Sequence, residues 1–223
     1  MTCMSERYLV VEGTFDCNFF NLLLNKYSIR DVKIYPPKYF GAGYNGKGNA
    51  INVLPDLIKQ FQDGRSDKIA LIVDSDFISI SKQGFNNTLG LIKQKIEPEG
   101  YELFTQSCNY NKGLIFKNTK GLPDIAVWIM PNNSSEGYLE TLLLDSLKER
   151  EEQYFTETKR LYRSIKKRKF PDHHKCKAKL AFHMAIQENP GRNISHIITN
   201  DIIDFDSGQI KMFIDWLKSY FQP

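Results

Sequence analysis

The segment Lys68–Asp76 reads KIALIVDSD: five consecutive apolar residues, Ile69 to Val73, run straight into two carboxylates one residue apart. A continuous apolar run suits a strand buried on both faces of a parallel sheet, where a half-exposed strand would alternate. Open parallel sheets present their working groups just beyond the carboxyl ends of the strands. Asp74 and Asp76 therefore emerge together at a sheet edge. Carboxylates brought that close repel unless a cation lies near them.

Two other segments have the same shape. Arg7–Gly13 (RYLVVEG) reads as a short buried strand that ends at Glu12 and turns at Gly13. Ile125–Met130 (IAVWIM) is a buried strand closed by Pro131 and Asn132, with Glu136 and Glu140 beyond it. Val32–Ile34 gives a further short strand, disturbed by Pro36 and Pro37. Between the strands, Phe15–Tyr27 is apolar at helical spacing. Asn49–Gln62 reads as one amphipathic helix with Ile51, Leu54, Leu57, Ile58 and Phe61 on a single face, and Asn87–Ile96 as another, stopped by Pro98 and Gly100. Strands alternating with helices predict an α/β fold, a mostly parallel sheet flanked by helices.

The segment from Tyr101 to Pro123 breaks that alternation. Two short runs around Asn111-Lys112-Gly113 predict a β-hairpin insertion. From Gly137 onward the chain reads helical, with Asp206 a candidate cap for a last helix carrying Ile210, Phe213, Ile214, Trp216 and Leu217. The predicted organisation is a core over residues 1–150, with the hairpin at about 101–123, and a basic helical extension over 151–223 packed on it.

At 223 residues and 41% hydrophobic, the chain can bury one sizeable core. No apolar run approaches the roughly 20 residues of a membrane helix. Met1–Arg7 lacks the charged-then-apolar order of a secretory signal. The expectation is a cytoplasmic protein without membrane contact. Cys3, Cys17, Cys108 and Cys176 are scattered, which disfavours a disulfide framework or a four-thiolate zinc site. Charge is uneven. Lys159 to Lys179 holds ten Lys or Arg against Asp172 alone, or +9, so the net +4 leaves −5 for the rest. This is either the footprint of a polyanionic partner or a solvated helical face.

Oxygen ligands from Asp and Glu suit a hard cation, Mg2+ or Mn2+, and no His lies near these acids in sequence. Asp16 follows Glu12 by four residues, one helical turn, and Glu140 follows Glu136 likewise. Glu12, Asp16, Asp74, Asp76, Glu136 and Glu140 together suffice for one or two ions, and two ions about 4 Å apart support in-line displacement at phosphorus. Each acid also has a structural reading. Glu12 and Asp16 suit a helix N-terminus, Ser134 or Ser135 with a nearby Glu is capping chemistry, and D-x-D occurs in turns. Gly41–Gly48 (GAGYNGKG) imitates a P-loop, but Gly48 stands where a magnesium-binding hydroxyl is needed. A loop whose amides and Lys47 approach a substrate phosphate remains open. His173, His174, Cys176 and His183 lack a standard zinc spacing and read as solvated or backbone-contacting residues beside the basic helix. Tyr154, Phe155, Tyr162 and Phe170 interleave the basic run, either to stack on bases or to pack a helix.

From about Tyr8 to Ile80, V-V-E-G after strand one, a Gly-rich turn after strand two and I-V-D-S-D after strand three resemble a TOPRIM domain, the topoisomerase–primase module. The resemblance implies a Rossmann-like sheet, Glu12 as general acid/base or metal ligand, and Asp74 and Asp76 as magnesium ligands. The extra acids are similar to those of the overcoming-lysogenization-defect nucleases, where they build a second metal site. V-W-I-M-P-N-N-S-S-E-G-Y-L-E, H-K-C-K-A-K-L and I-D-F-D-S resemble small stand-alone TOPRIM proteins and extend the likeness over most of the chain. That likeness places Lys177 as the catalytic cation, with Lys175 and Lys179 as alternatives. Lys47, Lys159, Arg160, Arg163, Lys166, Lys167, Arg168, Lys169, Lys175 and Lys179 become the nucleic-acid-binding set. The implied activity is a Mg2+/Mn2+-dependent nuclease on DNA or RNA, beside an ATPase partner, in defence against phage or mobile elements. The rival readings are a primase-like nucleotidyl transferase, which shares the acids but lacks a recognisable nucleotide site, and a non-catalytic nucleic-acid-binding module. A topoisomerase is disfavoured because the chain has no room for gate domains.

Overall fold

A computed structural model describes residues 5–81, 84–104 and 113–222. Its strands are β1 (Glu6–Val10), β2 (Lys33–Tyr35), β3 (Ser66–Asp74), β4 (Tyr101–Leu103), β5 (Leu114–Asn118) and β6 (Ile125–Met130). They form one six-stranded sheet in the order β2-β1-β3-β6-β5-β4. The first four of these run parallel, and β5 and β4 continue the β6 edge antiparallel. The fold is α/β, as the alternating pattern requires. The turn of the edge hairpin, including Asn111 and Lys112, lies outside the described residues.

The central strands are apolar throughout because both faces are covered. Side chains alternate across a strand. Leu9, Ala70, Ile72, Ala126, Trp128 and Met130 therefore enter one apolar layer. Tyr8, Val10, Ile69, Leu71, Val73, Ile125, Val127 and Ile129 enter the other. The first layer is closed by α1 (Thr14–Lys26), α6 (Leu139–Leu144), α8 (Lys175–Ala185), α9 (His196–Thr199) and α10 (Gly208–Phe221). The second is closed by α2 (Lys47–Asn52), α3 (Leu54–Gln62) and α5 (Phe85–Ile96). The remaining helices are α4 (Ile78–Ser81) and α7 (Glu152–Ser164), and α7 packs on α8. In α10, Phe213 and Trp216 place their rings 5.1 and 5.4 Å from Trp128. Burying side chains of this size contributes about 2 kcal/mol each. The Tyr220 hydroxyl lies 3.0 Å from Ile69 O and 2.7 Å from Asp124 O, tying α10 to the starts of β3 and β6. The extension thus supplies side chains to the same layer as the strands.

Several local expectations are corrected. The helix read over Asn49–Gln62 is two helices that meet at Val53. Pro55 has no N–H, and its ring clashes with the carbonyl four residues back, so a continuous helix breaks there. The apolar face survives because Ile51, Leu54, Leu57, Ile58 and Phe61 are all buried. Asp206 does not cap α10. Ser207 occupies that position, and the Asp204 carboxylate accepts from Ser207 Oγ at 2.5 Å and Asp206 N at 3.1 Å. His183 is fully buried rather than solvated, with Nε2 3.1 Å from Glu151 Oε2 and Gln187 Nε2 donating to the same carboxylate. The basic run is not one helix, since α7 ends at Ser164 and Lys166–Lys169 lie before α8. Cys17 and Cys176 are free thiols, and Cys3 and Cys108 lie outside the described residues. No helix among the described residues is long and apolar enough to cross a membrane.

Candidate functional site

Strands β1 and β3 are neighbours, so the residues that follow them meet at one rim of the sheet. Glu12 lies two residues beyond β1, and its Oε1 accepts a hydrogen bond from Asp74 N at 2.7 Å. Asp16 stands in the first turn of α1, and its Oδ2 accepts from Gly13 N at 2.8 Å. Asp74 Oδ1 accepts from Leu139 N at 3.1 Å, at the start of α6. Each of these partly buried carboxylates is thus held by a backbone amide through one oxygen. Among the described residues, the second oxygen of each accepts no hydrogen bond. Glu12, Asp16 and Asp74, with Val11, Phe20, Ile72, Val73, Met130 and Leu139, line a cavity of about 10 Å³. That is room for one water-sized occupant.

Charge interactions tie the three acids together. Burial pushes the Glu12 carboxyl up to about 7, against the pull of the Asp74 amide and Lys47 and with added repulsion from Asp16 and Asp76. Burial raises Asp16 to about 6, opposed by the Gly13 amide and reinforced by Glu140. Asp74 is raised well above the ordinary carboxylate range, first by burial and then by Glu12, Glu140 and Asp16, with Lys177 acting the other way. Each shift reports a carboxylate that a nearby positive charge would favour.

Asp76 is held differently. Its backbone is left-handed, φ 61°, and it forms a two-way bridge with Gly137 at 3.2 Å each way. Its carboxylate pairs with the ammonium of buried Lys47, which also donates to Asp74 O at 3.1 Å and Ser75 O at 3.4 Å. Lys47 therefore faces into the fold from the first turn of α2 and does not present itself to a phosphate, correcting that expectation. The cause is local: Gly46 N donates to Glu12 O at 2.7 Å, which lays the glycine loop across the rim and points its lysine inward.

Ser75, the middle residue of the D-S-D triplet, is fully buried. Its hydroxyl donates to Ser135 O at 3.0 Å and accepts from Gly137 N at 2.8 Å. Gly137, at φ 145°, has no room for a Cβ, which would lie 2.7 Å from Thr141 Oγ1. Asn133 and Asn132 shape the same loop: Asn133 Oδ1 accepts from Ile129 N at 2.7 Å, and Asn132 Oδ1 takes the amides and hydroxyls of Ser134 and Ser135. The two serines are thus not helix caps, and Tyr138 holds the N-cap position of α6.

Both one-turn pairings of acids are corrected. Helix α1 begins at Thr14, after Glu12, and α6 begins at Leu139, after Glu136. Glu12 and Asp16 still converge, because the turn at Gly13 folds them toward one cavity. Glu140 acts on Asp16 and Asp74 as a like charge from α6. Glu136 turns elsewhere, its Oε1 beside Gly84. Of the three lysines of α8, Lys177 is the one beside the acids, with its ammonium 4.5 Å from the Tyr138 ring. Lys179 sits over Tyr162, and Lys175 is exposed at the helix start. Along the rest of the basic run, Lys159 covers Phe155, Arg160 pairs with Glu157 at 2.9 Å, and Arg168 covers Tyr162 and reaches Asp172 at 3.3 Å. Arg163, Lys166, Lys167 and Lys169 are exposed.

As placed, no three His, Cys, Asp or Glu side chains among the described residues stand close enough together to hold a metal ion. The donor set nevertheless fits a single hard cation: three carboxylates, each with one oxygen free of hydrogen bonds, line a water-sized cavity, and the Met130 thioether beside them is a poor ligand for such an ion. Ser75 and Asn133 were not legible as site residues, and for Lys47 the sequence points to a phosphate rather than to the inward pairing observed.

Comparison with curated proteins and with solved structures gives no match. One family model matches residues 6–222, nearly the whole chain, and the protein accordingly belongs to the family described as protein of unknown function, DUF3226.

Proposed function

We propose that the rim formed by Glu12, Asp16 and Asp74 holds Mg2+ or Mn2+ and that the protein hydrolyses phosphodiesters of DNA or RNA, as a nuclease of the TOPRIM kind. The observation that carries this reading is a water-sized cavity lined in part by three amide-oriented carboxylates from separate segments. An ion bound there supplies Lewis-acid activation of water and neutralises charge on the phosphoryl group. Glu12 serves either as a ligand of that ion or as the base that accepts the proton of the attacking water. Phosphorus gains the hydroxyl oxygen as the bond to the leaving sugar oxygen breaks. Lys177 offsets charge on the phosphoryl oxygens. Exposed Arg163, Lys166, Lys167 and Lys169 meet the backbone of the strand. A cytoplasmic setting beside an ATPase belongs to the same proposal.

One observation favours the non-catalytic binding module instead: Lys47 already neutralises Asp76. Cleavage of labelled DNA and RNA with Mn2+ separates the two. The hydrolytic reading expects Asp74→Asn and Glu12→Gln to lose at least about 100-fold in rate, the scale of a removed general base. Equal activity in wild type and Asp74→Asn would overturn the assignment. Titration calorimetry with Mn2+ adds a second arm, since a pure binding module has no affinity that depends on these acids.

A further inference from the structure

The rim is bordered by aromatic rings that the fold does not bury. Phe15, Tyr39 and Tyr44 are 78%, 71% and 81% exposed, more than any other large apolar side chain described. Exposed rings gathered in one region of a surface mark an interaction site, whereas rings scattered singly do not. Their positions share a cause. Phe15 immediately precedes Asp16 in the first turn of α1. Tyr39 lies in the short 3-10 turn Pro37–Phe40 after β2, and Tyr44 in the glycine loop beyond it. That loop starts on one face of the sheet, where Phe40 and Ala42 pack on the second apolar layer. It then crosses the strand ends, bonding Glu12 O through Gly46 N at 2.7 Å, and reaches α1 on the other face, where Asn45 Nδ2 donates to Thr14 Oγ1 at 3.5 Å. The neighbours in sequence of that last pair are Tyr44 and Phe15. The three rings therefore border the crossing that covers Glu12.

Tyr39 is also braced. It stacks on Tyr35 with ring centres 4.3 Å apart and planes 10° from parallel, which fixes one face and turns the other outward. Exposed Lys38 stands beside it and makes no ion pair among the described residues. Flat faces accompanied by a lysine suit a ligand that is both aromatic and anionic. Duplex DNA hides its base faces, whereas an unpaired strand offers one per nucleotide.

We propose that Phe15, Tyr39 and Tyr44 form a stacking platform for the bases of a single-stranded nucleic acid, which enters the acid rim unpaired. This rests on the hydrolytic reading for the identity of the ligand, and its test is independent of hydrolysis. Fluorescence anisotropy in EDTA measures binding of a labelled oligothymidylate of about 15 nucleotides and of a matched duplex. The expected result is preference for the single strand, with Phe15→Ala, Tyr39→Ala and Tyr44→Ala each weakening it about tenfold and leaving the duplex little changed. Tyr44→Trp restores binding where Tyr44→Ala loses it. Unchanged thermal melts show that the exposed substitutions leave the fold intact. Single-strand affinity equal in wild type and all three alanine variants overturns the platform, as does a wild type that binds no single strand. Loss of binding in the variants with no Mn2+-dependent cleavage by wild type upholds the platform and defeats the hydrolytic reading alone.

Discussion

Glu12 carries the most informative single charge in the molecule. Its carboxyl is shifted from 4.5 to about 7, burial being the main cause. A carboxyl whose folded pKa exceeds its unfolded value makes the native state bind more protons than the unfolded one, so stability falls as pH rises through that window. Between about pH 4.5 and 7, Glu12 therefore destabilises the metal-free protein progressively, by an amount of order 2 kcal/mol after allowing for its partly exposed edge. Asp16 and Asp74 act in the same direction. In EDTA, Glu12→Gln is expected to melt progressively higher than wild type as pH climbs from 5 to 8, and a constant difference across that range would contradict the shift. Lys47 behaves oppositely. Lys47→Met leaves Asp76 without its cation and removes the lysine's hydrogen bonds to Asp74 O and Ser75 O. Breaking a largely buried pair from one side costs about 3 kcal/mol, readable as a drop in the urea midpoint. The acids were legible in the sequence because strand ends locate them. The lysine's partner was not, since the Lys47–Asp76 contact spans 29 residues and depends on where the glycine loop crosses the sheet. Ser75 was hidden for a similar reason: its neighbours carry the obvious chemistry, and its own bonds go to residues about 60 positions away.

Among the elements, those bounded by strong local signals emerged with the right limits. Ile125–Met130 is a strand over the same residues the apolar run indicates, because Pro131 ends it and both faces are buried. The division at Val53 was less visible, since apolar spacing continues across the break and only Pro55 betrays it. Helix starts fell within one or two residues, at Thr14 and Leu139, but Glu12 and Glu136 lie just before them, where Gly13 and Gly137 hold the chain out of the helix. The edge hairpin and α10 meet at Gly113. Its backbone is left-handed, φ 86°, and an added Cβ would lie 2.0 Å from Trp216 Cδ1. Gly113→Ala must either displace that indole from Trp128 or pull β5 away from its register. A loss of about 3 kcal/mol combines backbone strain with overpacking. Denaturant unfolding checks it, and the slope should stay unchanged if only the native state suffers.

At the scale of the whole chain, the C-terminal helices finish a layer that the strands begin. Trp128, Leu9 and Phe20 share one cluster with Leu180, Ile197, Phe213 and Trp216. A chain ending at residue 150 would keep α1 and α6 on that face of the sheet but lose α8, α9 and α10 and so expose Trp128 and its neighbours, and it is expected to aggregate on size-exclusion chromatography. A monodisperse fragment with a cooperative melt would mean that the extension is dispensable. The same architecture leads from the basic run toward the acids, since α8 carries Lys177 at the rim and Lys179 beside Tyr162. One further property follows from Lys47. Its ammonium is part of the polypeptide and cannot diffuse away, so the rim keeps a permanent counter-ion through dialysis, chelation or dilution. Conditions that strip dissolved cations leave this charge in place.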